Sequence, residues 1–147
     1  MSYTYLLYHI VVRTKKSEPT IPSDYERELY MYIYQFIKAH DSALYRVNGM
    51  PDHIHILVSL SPVIAISDFM RNLKTATSKM MKNTKDKYPM FDGWESEYYA
   101  STVSKDEQEK VRQYIINQKE HHRRVNSRKE LIQLCIENGI PYNEKYI

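Results

Sequence analysis

The stretch from Tyr3 to Arg13, Tyr-Thr-Tyr-Leu-Leu-Tyr-His-Ile-Val-Val-Arg, is apolar on both of its alternating faces. Side chains two apart share one face of a strand, so a segment of this kind needs cover on both sides and belongs in the middle of a sheet. A basic turn at Arg13 to Lys16 follows, and Pro19 and Pro22 end the pattern. Ser23 offers a cap for a helix over about 24–39, with Leu29, Tyr32, Ile33 and Phe36 as its apolar set. Residues 43–47 predict a short strand, Asn48 to Pro51 a turn, and His53 to Leu60 another strand. Ser67 is placed to cap a second helix over about 68–82, with Phe69, Leu73, Thr77 and Met80 on one side and Arg71, Lys74, Ser78 and Lys82 on another. Residues 83–95 are irregular, Tyr98 to Val103 predicts a fourth strand, and Ser104 with Glu107 forms a capping box opening a helix that runs to about Val125. A terminal helix from Ser127 to Asn138 is stopped by Gly139 and Pro141.

Strand, helix, strand, strand, helix, strand is the split β-α-β-β-α-β order of α+β ferredoxin-like domains, the arrangement RNA-recognition domains also use. The expected product is an antiparallel sheet with additional C-terminal helices. A length of 147 residues suits one domain, with a core over about 1–104 and a helical tail over about 105–147. Because this fold hosts many unrelated activities, function has to come from a site.

Bulk charge does not announce a nucleic-acid binder, since 21 Lys and Arg nearly balance 18 Asp and Glu for a net +3. Distribution says more. Arg71, Lys74, Lys79, Lys82, Lys85 and Lys87 meet only Asp86, and Lys119, Arg123, Arg124, Arg128 and Lys129 meet only Glu120. Each run is either a phosphate-facing patch or the solvated side of a helix. Cys135 is the only cysteine, which excludes an internal disulfide and a Cys-rich metal site and fits a reducing compartment. Residues 1–12 lack a basic leader, a small-residue cleavage site and the ~20 apolar residues of a membrane span, so a cytoplasmic protein with no membrane partner is expected.

His53 and His55 lie two apart on a predicted strand, so both imidazoles share one face while Ile54, Ile56 and Val58 take the other. Two imidazoles on an otherwise apolar strand bury polar nitrogens that metal binding or a hydrogen-bond network must satisfy. Asp52 precedes the pair and is expected on the opposite strand face in a structural role. On the predicted helix over 105–125, Tyr114 and Gln118 are four apart and share a face, with His121 and His122 a turn further on. Those two histidines read equally as further ligands, phosphate contacts or a solvated helix end.

Pro51-Asp52-His53-Ile54-His55-Ile56-Leu57-Val58, followed some sixty residues later by Tyr114-Ile115-Ile116-Asn117-Gln118, strongly resembles insertion-sequence transposases, the single-tyrosine members of the His-hydrophobic-His nuclease class, together with the related REP-associated tyrosine transposases. The resemblance spans nearly the whole chain: the turn at Arg13 to Lys16, Leu73-Lys74, Trp94, and the Tyr99 to Ser104 run fall in the same order. It implies that His53, His55 and Gln118 are metal ligands, that the ion is magnesium (Mg2+) or manganese (Mn2+), and that Tyr114 is the nucleophile. By ligand preference alone, two imidazoles and a neutral amide favour manganese or zinc over magnesium. The implied reaction cuts and rejoins single-stranded DNA through a covalent 5′-phosphotyrosine linkage. The implied partners are single-stranded DNA with hairpin ends and a second copy of the chain, in a homodimer whose active sites are completed in trans. Arg13, Lys15, Lys16, Arg71, Lys74, Lys79, Lys82, Arg123 and Arg124 are the candidates for phosphate contact.

Two departures stand out: Val12 occupies a position where many relatives carry an aromatic residue, and residues 83–93 match no motif. Competing readings are a noncatalytic ferredoxin-like nucleic-acid binder that uses its sheet as a platform, and a domesticated palindrome-processing nuclease with the same catalytic parts. A replication initiator or relaxase of the same class is disfavoured by the short chain, and a structural zinc protein by the missing cysteines.

Overall fold

The computed structural model describes residues 2–147. Strands β1 (Leu7–Thr14), β2 (Ala43–Met50), β3 (His53–Ser59) and β4 (Trp94–Thr102) form one sheet in the order β2-β3-β1-β4, and every neighbouring pair is antiparallel. Helix α1 (Glu26–Ala39) connects β1 to β2, and α2 (Ile66–Lys82) connects β3 to β4. The tail holds α3 (Gln108–Ile116), the short α4 (Gln118–His121) and α5 (Ser127–Glu137). This is the ferredoxin-like order expected from the sequence. Among the described residues no helix is long and apolar enough to cross a membrane.

The central place of β1 explains its composition. Ile10 and Val12, with Ile54, Ile56 and Val58 of β3, pack on Leu29, Ile33 and Ile37 of α1 and on Phe69, Met70 and Leu73 of α2. On the opposite face, Leu7 and Leu57 meet Ile115 of α3, while Val11 and Tyr99 meet Leu134 and Cys135 of α5. Burying each such side chain stabilises the fold by roughly 1.5–3 kcal/mol, so both helical layers are held by apolar contact. The strand begins at Leu7 rather than Tyr3 because Leu7 pairs with Ser59, the last residue of β3. Before that point there is no longer a partner strand, and Tyr3 and Tyr5 are exposed.

Helix starts differ from expectation. Helix α2 opens one residue before Ser67 with Ala65 at its cap, and neither Ser23 nor Ser104 makes a side-chain cap; both instead lead into three-residue 3-10 turns. Asn126 does cap, its Oδ1 accepting from the Lys129 N–H at 2.9 Å.

The single helix expected up to Val125 is instead broken at Asn117. Asn48 of β2 supplies the reason: its Nδ2 donates to the carbonyls of Ile115 and Ile116 at 3.0 and 3.1 Å, taking acceptors that a continuing helix would use. Lys119 adds contacts to Gly49 O, to Asn48 Oδ1 at 3.2 Å and to Glu26 at 2.8 Å. The tyrosine-bearing segment is thereby tied to the β2–β3 hairpin.

Gly49 lies where that hairpin is tightest. A Cβ there would stand 2.2 Å from the carbonyl oxygen of His53 and 2.8 Å from Ile54 Cα, both backbone atoms that cannot step aside cheaply. Gly49→Ala is therefore expected to destabilise the protein by on the order of 1–3 kcal/mol, the usual cost of overpacking, read as a lowered Tm in thermal unfolding. An unchanged Tm would show that the hairpin absorbs the methyl group.

Candidate metal centre and nucleophile

Strand alternation turns His53 and His55 toward the layer formed by α3, α4 and α5, and both rings are fully buried there. His53 Nδ1 lies 2.7 Å from Asp52 Oδ1, and Asp52 Oδ2 accepts from Ser127 Oγ at 2.7 Å. The expectation that Asp52 points to the other face is thus corrected. Asp52 belongs to the two-residue turn between β2 and β3, where the alternation of a strand does not apply. His55 Nδ1 lies 2.8 Å from Nε2 of His9, a buried neighbour on β1 that shares the face of Leu7 and Val11.

From the tail, α3 carries Tyr114, and α4 opens with the buried Gln118. The break at Asn117 does not separate them. Between them and the sheet sits Glu130 of α5, only 3% exposed. Its Oε1 faces three imidazoles: His55 Nε2 at 2.8 Å, His122 Nε2 at 3.1 Å and His53 Nε2 at 3.3 Å. Its Oε2 accepts from the Tyr114 hydroxyl and from Gln118 Nε2 at 3.0 Å, and lies 3.2 Å from His121 Nε2. Gln118 Oε1 is turned to His53 Nε2 at 3.3 Å.

Burial and charge pull the titrating groups apart. Burial works to raise Glu130, but its contacts with His122, His53 and His55 outweigh that and hold the carboxyl far below the usual range. Burial would lower His53, yet Asp52 and Glu130 lift the ring to about 9. Burial prevails at His55, which falls to about 4 with Glu130 opposing and His53 and His122 assisting. Burial first, then the charge of Glu130 and its hydrogen bond, push the Tyr114 phenol well above its ordinary value, so the hydroxyl stays protonated in this environment.

The donor set fits a divalent cation. His53, His55, His122 and Glu130 each present one ligand atom, and these atoms all lie within 4.8 Å of one another. Separations of 2.8 to 3.3 Å around Glu130 Oε1 match the ~3 Å expected between adjacent ligands of an octahedral ion bonded at about 2.1 Å. The Nε2 atoms of His121 and His122 are buried and, despite approaches of 3.2 and 3.1 Å to Glu130, make no hydrogen bond with a protein group. With the outer nitrogens of His53 and His55 occupied by Asp52 and His9, the inner Nε2 atoms are directed at the cluster. This cluster could bind a metal.

Sequence reading missed Glu130 and His9. Glu130 stands in the run Arg128-Lys129-Glu130, which looks like a solvated first turn, but it is four residues before Leu134 and so lies on the buried stripe of α5. That spacing was the available signal. His9 had a similar one, its alternation with the apolar Leu7 and Val11.

The basic candidates scatter. Arg13 is buried, donating to Ser17 Oγ and to the carbonyl of Tyr146 at 3.2 Å each, which removes it from the expected phosphate-facing set. Its place on the β1 face that the tail covers accounts for this. Lys15 and Lys16 follow it and are exposed, Lys15 lying 3.5 Å from Asp92. Arg71, Lys74, Lys79 and Lys82 ride on α2, which packs on the sheet face away from the histidine pair, so the fold does not bring them to the cluster. Arg71 is paired with Asp68, and Lys74 Nζ donates to the carbonyl of Ser96. Arg123 and Arg124 are exposed directly after His122, next to the site, with Arg123 near Glu120 at 3.2 Å.

A family model described as "Transposase IS200 like" matches residues 2–118, most of the chain. The chain belongs to the IS200-like transposases. It is 27% identical over 121 residues to the ISDra2 transposase TnpA of Deinococcus radiodurans, covering 79% of this chain and 86% of that protein. To the transposase for insertion sequence element IS200 of Salmonella typhimurium it is 28% identical over 117 residues, covering 77% and 76%. A Deinococcus radiodurans R1 crystal structure described as a transposase superposes with a TM-score of 0.62 at 27% identity, over 80% of this chain and 93% of that one. A REP-associated tyrosine transposase bound to a REP hairpin superposes with a TM-score of 0.63, over 83% and 73%, but at 12% identity that likeness speaks for the fold alone.

This IS200-like transposase is therefore an enzyme of the single-tyrosine class. The family match ends at Gln118, so α5 and its Glu130 lie beyond the shared segment. Asp52, which orients His53, supplies a test of the metal centre. Replacing such an outer partner usually costs 10–100-fold in metal affinity, so Asp52→Asn is expected to weaken Mn2+ binding by about that factor in titration calorimetry with the circular dichroism spectrum unchanged. Unchanged affinity would mean that Asp52 does not orient the ligand.

Proposed function

We propose that this transposase cuts and rejoins single-stranded DNA at the hairpin-bearing ends of an insertion element, with Tyr114 as nucleophile and His53, His55 and Gln118 holding Mg2+ or Mn2+. The observation that carries the assignment is the Tyr114 hydroxyl meeting the carboxylate about which the buried imidazoles converge. A divalent ion bound there would neutralise a nonbridging phosphate oxygen and orient the phosphodiester for in-line attack.

The residues of the chain do the rest. Tyr114 oxygen gives up its proton and forms a bond to phosphorus as the bond from phosphorus to the 3′ oxygen breaks, and that oxygen takes up a proton from solvent, leaving a 5′-phosphotyrosine and a free 3′ hydroxyl. The phenol proton is directed at Glu130 Oε2, and burial beside that carboxylate keeps the phenol neutral until the substrate is in place. Because the phosphotyrosine linkage conserves the ester, a 3′ hydroxyl at a new junction reverses the reaction with no external energy source. A cleft of about 570 Å³, lined in part by His9, Ser101, Val103, Val111, Tyr114 and Leu134, gives DNA an approach to the hydroxyl.

Lys15 and Lys16, at the end of β1 beyond His53's cross-strand partner Arg13, and Arg123 and Arg124, directly after His122, are exposed cations near the cluster and are proposed to contact phosphates. The exposed Arg71, Lys79 and Lys82, with Lys74, form a separate basic face for hairpin DNA. In this chain Tyr114 and Gln118 lie over the chain's own histidines; in the homodimer proposed from the resemblance, the same contacts would form between two copies. A cytoplasmic location is part of the proposal.

The test uses labelled single-stranded DNA from the element's ends with Mg2+ or Mn2+. The wild-type protein is expected to give a covalent protein–DNA adduct on a denaturing gel. Tyr114→Phe or added chelator should abolish it. Hairpin binding by the folded wild-type protein without an adduct in either metal would instead favour a noncatalytic nucleic-acid binder.

A further inference from the structure

Glu130 is a costly residue to bury. An ionised carboxylate loses several kcal/mol of hydration on entering a protein interior unless charges and donors replace the water. This side chain meets six: one oxygen is surrounded by His53, His55 and His122, and the other by Tyr114, Gln118 and His121. The two oxygens therefore face different parts of the site. Oε1 points to the convergence of imidazole nitrogens, and Oε2 to the nucleophile and the amide.

The chemistry of the set supports a ligand role for Oε1. His53, His55 and Gln118 together are formally neutral and leave the positive charge of a divalent ion uncompensated. One anionic carboxylate oxygen would offset part of that charge, and hard cations prefer such oxygen donors. The buried Nε2 of His122 lies 3.1 Å from Oε1 without forming a hydrogen bond, which is a second sign that a cation belongs between these groups. Helix α5, which delivers Glu130, starts after the segment shared with the family and is fixed over the sheet by Leu134 and Cys135 packing on Val11 and Tyr99.

We propose that Glu130 is an additional, anionic ligand of the metal centre, contributed by the helix beyond the family segment, and that its second oxygen positions Tyr114 and Gln118 about that centre. The inference rests on the metal centre proposed above. It gives the site a net negative ligand set and makes the tail helix part of the active centre rather than an appendage.

Titration calorimetry with Mn2+, paired with thermal unfolding with and without Mn2+, tests it on the full chain. Wild-type protein is expected to bind Mn2+ and to show a higher Tm in its presence, because an ion that binds only the folded state stabilises it. Glu130→Gln, close to isosteric and uncharged, is expected to lose at least about 10-fold in Mn2+ affinity and most of the Mn2+-induced Tm rise. If Glu130 were only structural, the metal-free Tm of Glu130→Gln would fall while the Mn2+ affinity and the rise persisted, and the proposal would be overturned. Glu130→Asp covers the case in which Glu130→Gln does not fold: the shortened carboxylate should fold and bind Mn2+ more weakly than wild type, and wild-type affinity in it would count against the ligand role. His53→Ala separates the two proposals. Weak binding in His53→Ala with full binding in Glu130→Gln rejects the carboxylate ligand alone, whereas full binding in His53→Ala rejects the metal centre itself.

Discussion

A carboxylate removed from water remains ionised only where its neighbours replace the lost hydration, and here the neighbours of Glu130 are imidazoles, a phenol and an amide. The nucleophile candidate and each candidate metal ligand touch this side chain. The sheet contributes His53 and His55, the tail contributes Tyr114, Gln118, His121 and His122, and Glu130 joins the two sets.

The geometry behind that meeting is the two-sided burial of β1 and β3. One face of each strand is closed by α1 and α2, which makes the sheet rigid from behind. The other face is free to carry His9, His55 and His53 because α3 and α5 cover it with only small apolar clusters, one around Leu57 and Ile115 and one around Val11 and Leu134. The polar centre lies between those clusters. Asn48 ends α3 by capturing its last carbonyls, and this local break sets the angle at which Gln118 enters the site. The outer nitrogens of both sheet histidines are held, one by Asp52 and one by His9, so ring orientation is settled before a metal arrives.

Much of this was legible in the sequence. The two apolar faces of the first strand required a central position, the period of two placed His53 and His55 together, and the spacing of four placed Gln118 below Tyr114. What was not legible came from interactions between distant segments. The break at Asn117 depends on Asn48, which lies 67 residues before Ile115 and leaves no mark in the helical pattern itself. Asp52 read as facing away because strand alternation was carried one residue too far into a turn. Arg13 read as a phosphate contact because its charge is visible in the sequence, while the tail that buries it is remote. Glu130 was hidden by its charged neighbours, although Leu134 one turn on marks the same face.

The chain contains fourteen tyrosines, and Tyr114, proposed as the nucleophile, is the one whose hydroxyl meets Glu130. Trapping the covalent intermediate on single-stranded element-end DNA with Mn2+, digesting both components and mapping the modified peptide by mass spectrometry tests that assignment most directly. The account predicts a nucleotide 5′ phosphate on the peptide containing Tyr114 and on no other. A nucleotide on a different tyrosine, with Tyr114 unmodified, would contradict it.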